Sequence, residues 1–518
     1  MRRPYLLPHA AIAAFCIGLM LPLLAGTPST NDAPALTAAA GKARPTSRTF
    51  KSARIDGVPH VRQQPDFCGE ACVAMALGWL KEAHVSQNDV FAASGLDPVE
   101  GRGCCASDLL NALLTLGFKP GSKAECWQRI NADNAEAELQ DRFAELHADL
   151  RAGHPSIVCM HYDDSPETTE HVRLIVGYDS DGDEVLYHEP AEDDAAYRRM
   201  PRKQFLKLWP LKYKPREWTA IRFRLKPGDL DLPEPARPRR RTLIVDGREK
   251  QVPVVAFSAA DYAQHVRRLR HRYPMDDMTV LIEEPFVVVG DESPATVRRY
   301  AEQTIRWATR HYRKDYFASD PSRIITIWLL GDKDSYATIS RAVSGRAPGT
   351  PFGFYLESRD ALIMNISTGG GTLVHEMFHA FVPANFPSMP PWLNEGMASL
   401  YEQCGERGGR MVGFTNWRLA GLKTAIANKA TLRWKDLCDL DIRGFYGPGS
   451  GVHYAQARYL CYYLQQKRLL RKFYQAFLAG QAKDPTGYHT LLKVLDVDDP
   501  DALLRDWQAW VLALKFPA

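Results

Sequence analysis

GTLVHEMFHAFVPANFPSMPPWLNEGMASLYE, residues 371–402, carries His375 and His379 four positions apart and Glu395 sixteen positions beyond the second histidine. On a helix, residues four apart share a face, so both imidazoles can meet one metal ion. Glu376 stands one step round from His375, close enough to touch a water at that ion without being a ligand. Pro383, Pro387, Pro390 and Pro391 are expected to end the first helix and clear a loop. A second helix from about Trp392 then brings Glu395 back as the third ligand. Two imidazoles and a carboxylate leave one position open on Zn2+, which a catalytic site needs and a structural site avoids. The spacing therefore points to a zinc hydrolase site.

A chain of 518 residues suggests about three domains at ~150 residues each. Its 45% hydrophobic and 24% charged residues are those of an ordinary globular protein, and a net charge of +4 gives no ground for nucleic-acid binding. The one dense basic run, Arg237-Pro238-Arg239-Arg240-Arg241, is short and proline-broken and reads as solvated linker. Met1-Arg2-Arg3 followed by an apolar run from Ala10 to Gly26 reads as a signal peptide over residues 1–26, with an uncleaved membrane anchor as the alternative. Export, to the periplasm or beyond the cell, is the expected address. Residues 27–54, rich in Ala, Thr, Pro and Ser, read as a flexible tether. Setting Cys16 aside leaves nine cysteines, an odd number, so at least one thiol is expected free or paired between chains. Cys404, Cys438 and Cys461 could supply one bridge.

The first half offers a different chemistry. VPHVRQQPDFCGEACVAMALGWL, from Val58, places Cys68 at the amino end of a helix of small and apolar residues. The positive end of the helix dipole there is expected to lower the thiol pKa. Gln63, five residues upstream, could help bind an oxyanion through its amide, and Gln64 is the alternative. HVRLIVGYDSDGDEVLYHEP reads as a hairpin with strands His171–Tyr178 and Glu184–His188, bringing Glu189 near His171 across the ladder. A cysteine at a helix start, a histidine on a strand and a carboxylate to orient it make the thiol-protease constellation.

These pieces, with the strand entry at Leu150–Met160 and the closing RKQFLKLW, resemble the papain-like peptidases that cut bacteriocin leaders after a double glycine. The likeness covers about Ile55 to Lys226. It implies that Cys68 is the nucleophile, His171 its base, Glu189 the orienting carboxylate and Gln63 part of the oxyanion hole. Glu189 stands where that family has aspartate. No fused transporter is read in this sequence, and double-glycine specificity is not carried over.

PGDLDLPEPARPRRR, residues 227–241, reads as a stiff linker. Beyond it, Thr242–Phe257, Met278–Gly290, Arg323–Leu330 and Ala361–Asn365 read as strands, and Ser293-Pro294 as the start of a long helix to about Tyr312. Ala361–Asn365 is expected to be the edge strand beside the metal helix, where an extended peptide can pair. HEMFH followed by WLNEGMASLY, with the later YAQARYL helix, resembles the gluzincin metallopeptidases from about Thr279 to the end. That resemblance implies His375, His379 and Glu395 as zinc ligands, Glu376 as base, and Tyr454 steadying the oxyanion, with His453 as the other donor. Glu402 reads as an exposed helical glutamate, or else as support for a ligand.

The expected fold class is α+β and multidomain. A papain-like cysteine peptidase domain (55–226) precedes a gluzincin-type metallopeptidase domain (242–518) of thermolysin-like or aminopeptidase-like kind. The expected function is an exported peptidase with two chemistries acting on peptide or protein substrates, without nucleic acid and with no membrane contact beyond an N-terminal anchor. Two alternatives stay open for the first domain: a catalytically idle peptide-binding module, or an amide-transferring thiol enzyme.

Overall fold

Apolar runs in the first half pair into a seven-stranded sheet, antiparallel throughout. Its order is Trp127–Asn131, Glu217–Arg224, Ser156–His161, Glu170–Asp179, Glu184–His188 and Arg198–Pro201, with the short Ala53–Arg54 also on Glu170–Asp179. Ser156 through Met160 and His171 through Tyr178 are buried residue after residue, which is why they read as unbroken apolar stretches rather than an alternation. Helix Cys68–Trp79 packs on this sheet, and Gly69 through Leu77 are all buried, as its small, all-round apolar composition demands. The computed structural model describes residues 49–82, 84–234, 240–245, 248–253 and 256–516. The expected signal peptide, residues 27–48 of the tether and part of the basic run lie outside them. All described residues belong to one unit, Arg48–Ala518.

The second half is built on a five-stranded sheet in the order Thr279–Glu283, Phe286–Gly290, Ile325–Leu330, Ala361–Asn365, Gly353–Leu356. The middle three strands are parallel and the two outer ones antiparallel. Alternate residues feed two different cores. Val288, Ile327 and Leu362 face the helices that carry the metal motif, while Val287, Trp328 and Ile363 face the opposite layer. Ala361–Asn365 is thus an interior strand paired on both sides, and the edge is Gly353–Leu356, which the sequence reading did not single out. The expected strand over Thr242–Phe257 is two strands, Arg240–Val245 and Arg248–Pro253, paired with each other. The Ser293 cap on Thr296 N and Pro294 start a helical stretch as expected, which runs through a π turn at Ala301–Arg306 to Asp315.

Two further expectations change. The metal helix runs Gly371–Asn385, straight through Pro383. A proline in the last turn removes only one donor, and the Asn385 side chain ties that turn down by donating to Phe381 O at 2.8 Å. All nine described cysteines are unpaired, so Cys404, Cys438 and Cys461 supply no bridge. No helix among the described residues is long and apolar enough to cross a membrane.

Helix Ala259–Arg272 joins the two halves. Its Ala260 and Ala263 belong to the first core, and its Tyr262, Val266 and Leu269 to the layer under the second sheet. Gln264 Nε2 donates to Pro65 O at 2.8 Å, three residues before Cys68. Elsewhere, helix Pro391–Leu400 lies so close on helix Ser450–Gln466 that a Cβ on Gly396 would stand 2.9 Å from Ala457 O and from Cys461 Sγ. Only glycine fits there without movement, and Glu395 is its neighbour. Gly396→Val is expected to cost about 1–3 kcal/mol through overpacking, read as a lower urea midpoint.

Candidate active sites

Helices Gly371–Asn385 and Pro391–Leu400 bring the metal motif together, the first carrying both histidines and the second Glu395. His375 Nε2 and His379 Nε2 are 3.1 Å apart, and Glu395 Oε2 lies 3.2 Å from the first and 3.6 Å from the second. One donor atom from each of the three residues falls within 4.8 Å of the others. Glu395 Oε2 is buried without a hydrogen-bond partner, and the two facing nitrogens can share only one proton. A divalent cation would satisfy all three lone pairs at once, so the donor set fits a metal ion.

The outer nitrogens are steadied as well. His379 Nδ1 is 2.9 Å from Asn394 Oδ1, and His375 Nδ1 is 3.3 Å from Glu402 Oε1. Glu402 also accepts from Arg418 Nη2 at 2.8 Å, Arg418 Nε at 3.2 Å and Asn416 Nδ2 at 3.1 Å. Burial alone would raise its carboxyl, but His375 and Arg418 hold it down to about 2. Its side chain is 7% exposed, so the reading of an exposed helical glutamate is overturned. The helix ends at Leu400, and the chain turns there to point Glu402 inward.

Glu376 is not part of the donor cluster. Its Oε2 accepts the Tyr355 N–H of the edge strand at 3.0 Å. Burial lifts its carboxyl above the usual range, against the pull of His375 and His379. Two phenols reach Glu395 from the far side. Tyr446 donates to Glu395 Oε1 at 2.5 Å, and Tyr454 adjoins both Tyr446 and Glu395. His453, the other donor weighed for this place, instead has Nδ1 3.0 Å from Phe445 O. Tyr446 was missed in the sequence because it lies in a short glycine-flanked helix, Ile442–Tyr446, with no periodic signal.

In the first half, His171 Nε2 lies 2.5 Å from Glu189 Oε1, and Arg173 Nε donates to Glu189 Oε2 at 2.7 Å. Ala191 N adds a third bond to Glu189 at 3.0 Å. Burial would raise the Glu189 carboxyl, but His171 and Arg173 more than offset it and hold it low. The ladder pairs Leu174 with His188, with a bulge between Ile175 and Gly177. Glu189 therefore falls across from Arg173 rather than His171, and reaches His171 because residues two apart share a face of the strand. Arg173 escaped the sequence reading, although a charge inside HVRLIVGY was its signal.

Cys68 opens its helix, half-buried and beside the backbone of Val172, next to His171. The expected lowering of its pKa is not found. Burial pushes the thiol up to about 12, with Glu70 and Asp66 adding to the rise. Glu70 is itself buried, accepts Cys104 N at 2.8 Å, and is raised to about 7 by burial. Of the two glutamines, Gln64 is committed to Asn88 Oδ1 at 2.8 Å, whereas Gln63 Oε1 is buried without a partner.

Residues 55–215 match the Peptidase_C39 like family. The match supports a peptidase of cysteine type for the first domain, which stands at the N-terminal side of a mixed α/β, multidomain chain. No curated protein matches the chain.

Glu70 and Arg173 give two tests. Since the folded Glu70 carboxyl is raised from 4.5 to about 7, its contribution to stability is full below pH 4.5 and is lost as pH rises through 7. Glu70→Gln should therefore flatten the fall in stability between pH 5 and pH 8, and should speed iodoacetamide labelling of Cys68 at pH 9 by removing a neighbouring negative charge. Arg173→Met strips one cation from a buried carboxylate and is expected to cost about 3–5 kcal/mol in denaturant unfolding.

Proposed function

We propose that this chain is an exported peptidase that hydrolyses peptide bonds at a zinc site in its second half and carries a Cys-His-Glu thiol site in its first. The observation that carries the zinc reading is the convergence of His375, His379 and Glu395, with the buried Glu395 Oε2 otherwise unpartnered. Zinc held by these residues would polarise the scissile carbonyl and acidify a water beside it. Glu376 takes the water proton and returns it to the leaving amine. Its burial suits that exchange, since a raised carboxyl accepts and releases a proton nearer neutral pH. The edge strand Gly353–Leu356 gives an extended substrate a backbone to pair with. Tyr454 would donate to the carbonyl oxygen as it gains charge, while Tyr446 keeps its proton on Glu395.

A second reading of the first domain has an observation of its own. The Cys68 thiol is held protonated by burial and by two carboxylates, Glu70 and Asp66. That state suits a domain that grips peptides and leaves cutting to the zinc site. The export reading rests on the basic and apolar N-terminal sequence.

Glu376→Gln should lower peptide hydrolysis by about 10²–10⁴-fold while zinc content, measured by elemental analysis, stays at one per chain. His375→Ala and Glu395→Ala should lose the zinc itself. A folded protein that binds no zinc would sink the metallopeptidase reading. Cys68→Ala separates the two roles of the first domain: loss of a chelator-resistant activity marks a thiol peptidase, and unchanged cleavage with peptide binding retained marks a binding module.

A further inference from the structure

The helix shared by both halves, Ala259–Arg272, presents Asp261, His265, Arg268 and Arg272 at helical spacing along one wall of a cavity of about 710 Å³. Arg323, two residues before the strand Ile325–Leu330, and Arg359, in the turn before Ala361–Asn365, line the same cavity. Gln64 and Pro65, just ahead of Cys68, also line it, and Gln64, the alternative oxyanion glutamine, is the one residue weighed for catalysis among the lining residues, its amide nitrogen committed to Asn88. Four of its six formally charged side chains are arginines and two are aspartates. Both aspartates are already engaged. Asp261 caps its own helix through Ser258, at 2.7 Å to N and 2.8 Å to Oγ, and Asp360 pairs with Arg323 at 2.9 Å.

Arg268 and Arg359 have no carboxylate partner among the described residues, and Arg272 lies 5.5 Å over the Tyr273 ring. Positive charges gathered round one concavity repel one another and draw anions, more strongly there than on an open surface. His265 feels that field: burial and Arg268 hold its pKa down to about 4, and its Nε2 rests on Thr326 Oγ1 at 2.7 Å. Leu269, Ile324 and Phe257 supply the apolar part of the wall, and the volume lies in the range of small-molecule sites.

We propose that this cavity binds a small polyanion, a molecule with two or more carboxylate or phosphate groups, through Arg268, Arg272 and Arg359. The forked guanidinium donors match the paired oxygens of either group. The ligand would touch both halves of the molecule at once, through the shared helix and the segment before Cys68.

Calorimetric titration of the full-length protein at low salt, with pyrophosphate and separately with citrate, tests this. Saturable binding of at least one is expected, weakening as salt is raised, and the stronger of the two identifies phosphate or carboxylate as the source. Arg268→Glu and Arg359→Glu should weaken binding by about tenfold or more each. Both side chains are exposed, so the thermal midpoint should hold, and Arg505→Glu, on the last helix, serves as the control. Binding by neither anion, or undiminished binding by the double variant, overturns the proposal. Binding confined to an aspartate-rich peptide also overturns it, by assigning the surface to an acidic polypeptide. Cys68→Ala and Glu376→Gln should bind as the parent does, which keeps this outcome apart from that of the peptidase reading.

Discussion

A carboxylate taken out of water is costly unless cations and donors replace its hydration, and both candidate sites are organised around one such group. Glu189, 3% exposed, lies between His171 and Arg173; Glu402, 7% exposed, lies between His375 and Arg418. A carboxylate held between an arginine and a histidine thus recurs beside both sheets. The guanidinium supplies a charge that does not titrate near neutral pH, so the carboxylate stays ionised and available to the imidazole. Glu189 gives one oxygen to each partner, whereas Arg418 takes both oxygens of Glu402 and His375 faces the Oε1 it shares. What differs is the use of that imidazole: His171 keeps a ring nitrogen free beside the Cys68 helix, while His375 offers its other nitrogen to the metal cluster.

The two halves share more than a linker. The second sheet is covered on both faces, so its strands alternate between two cores, and one of these cores is walled by the same helix that contributes Ala260 and Ala263 to the first half. That helix also reaches Pro65 O through Gln264. A displacement of Ala259–Arg272 would therefore be felt at the amino end of the Cys68 helix and under the sheet that positions the metal motif.

Much of this was legible in the sequence, because it depends on spacing. Residues four apart on a helix share a face, so His375 and His379 were readable as partners, and the proline-broken interval returned Glu395. The hairpin around Asp179–Asp183 was readable from its turn residues and its apolar flanks. What failed depends on tertiary context. A bulge at Ile175–Gly177 shifted Glu189 opposite Arg173, and a turn after Leu400 drove Glu402 inward. The edge strand fell to Gly353–Leu356, a segment too short and polar in its surroundings to stand out. The Cys68 pKa went the opposite way from the dipole argument because burial and two neighbouring carboxylates outweigh a helix terminus, which is worth ~0.3–1 kcal/mol.

The Tyr355 N–H is a single donor with two claimants. Its strand pairs on one side with Ala361–Asn365, and on the other side this N–H is given to Glu376. An extended chain laid along that open side would take the N–H for its own carbonyl and so set the glutamate free as it arrives. On the proposed function, the base is kept occupied by the protein's own backbone until a substrate displaces it. A peptide too short to cover Tyr355 leaves Glu376 tied, so the register of the bound chain, more than the fit of any side chain, would choose which bond is cut.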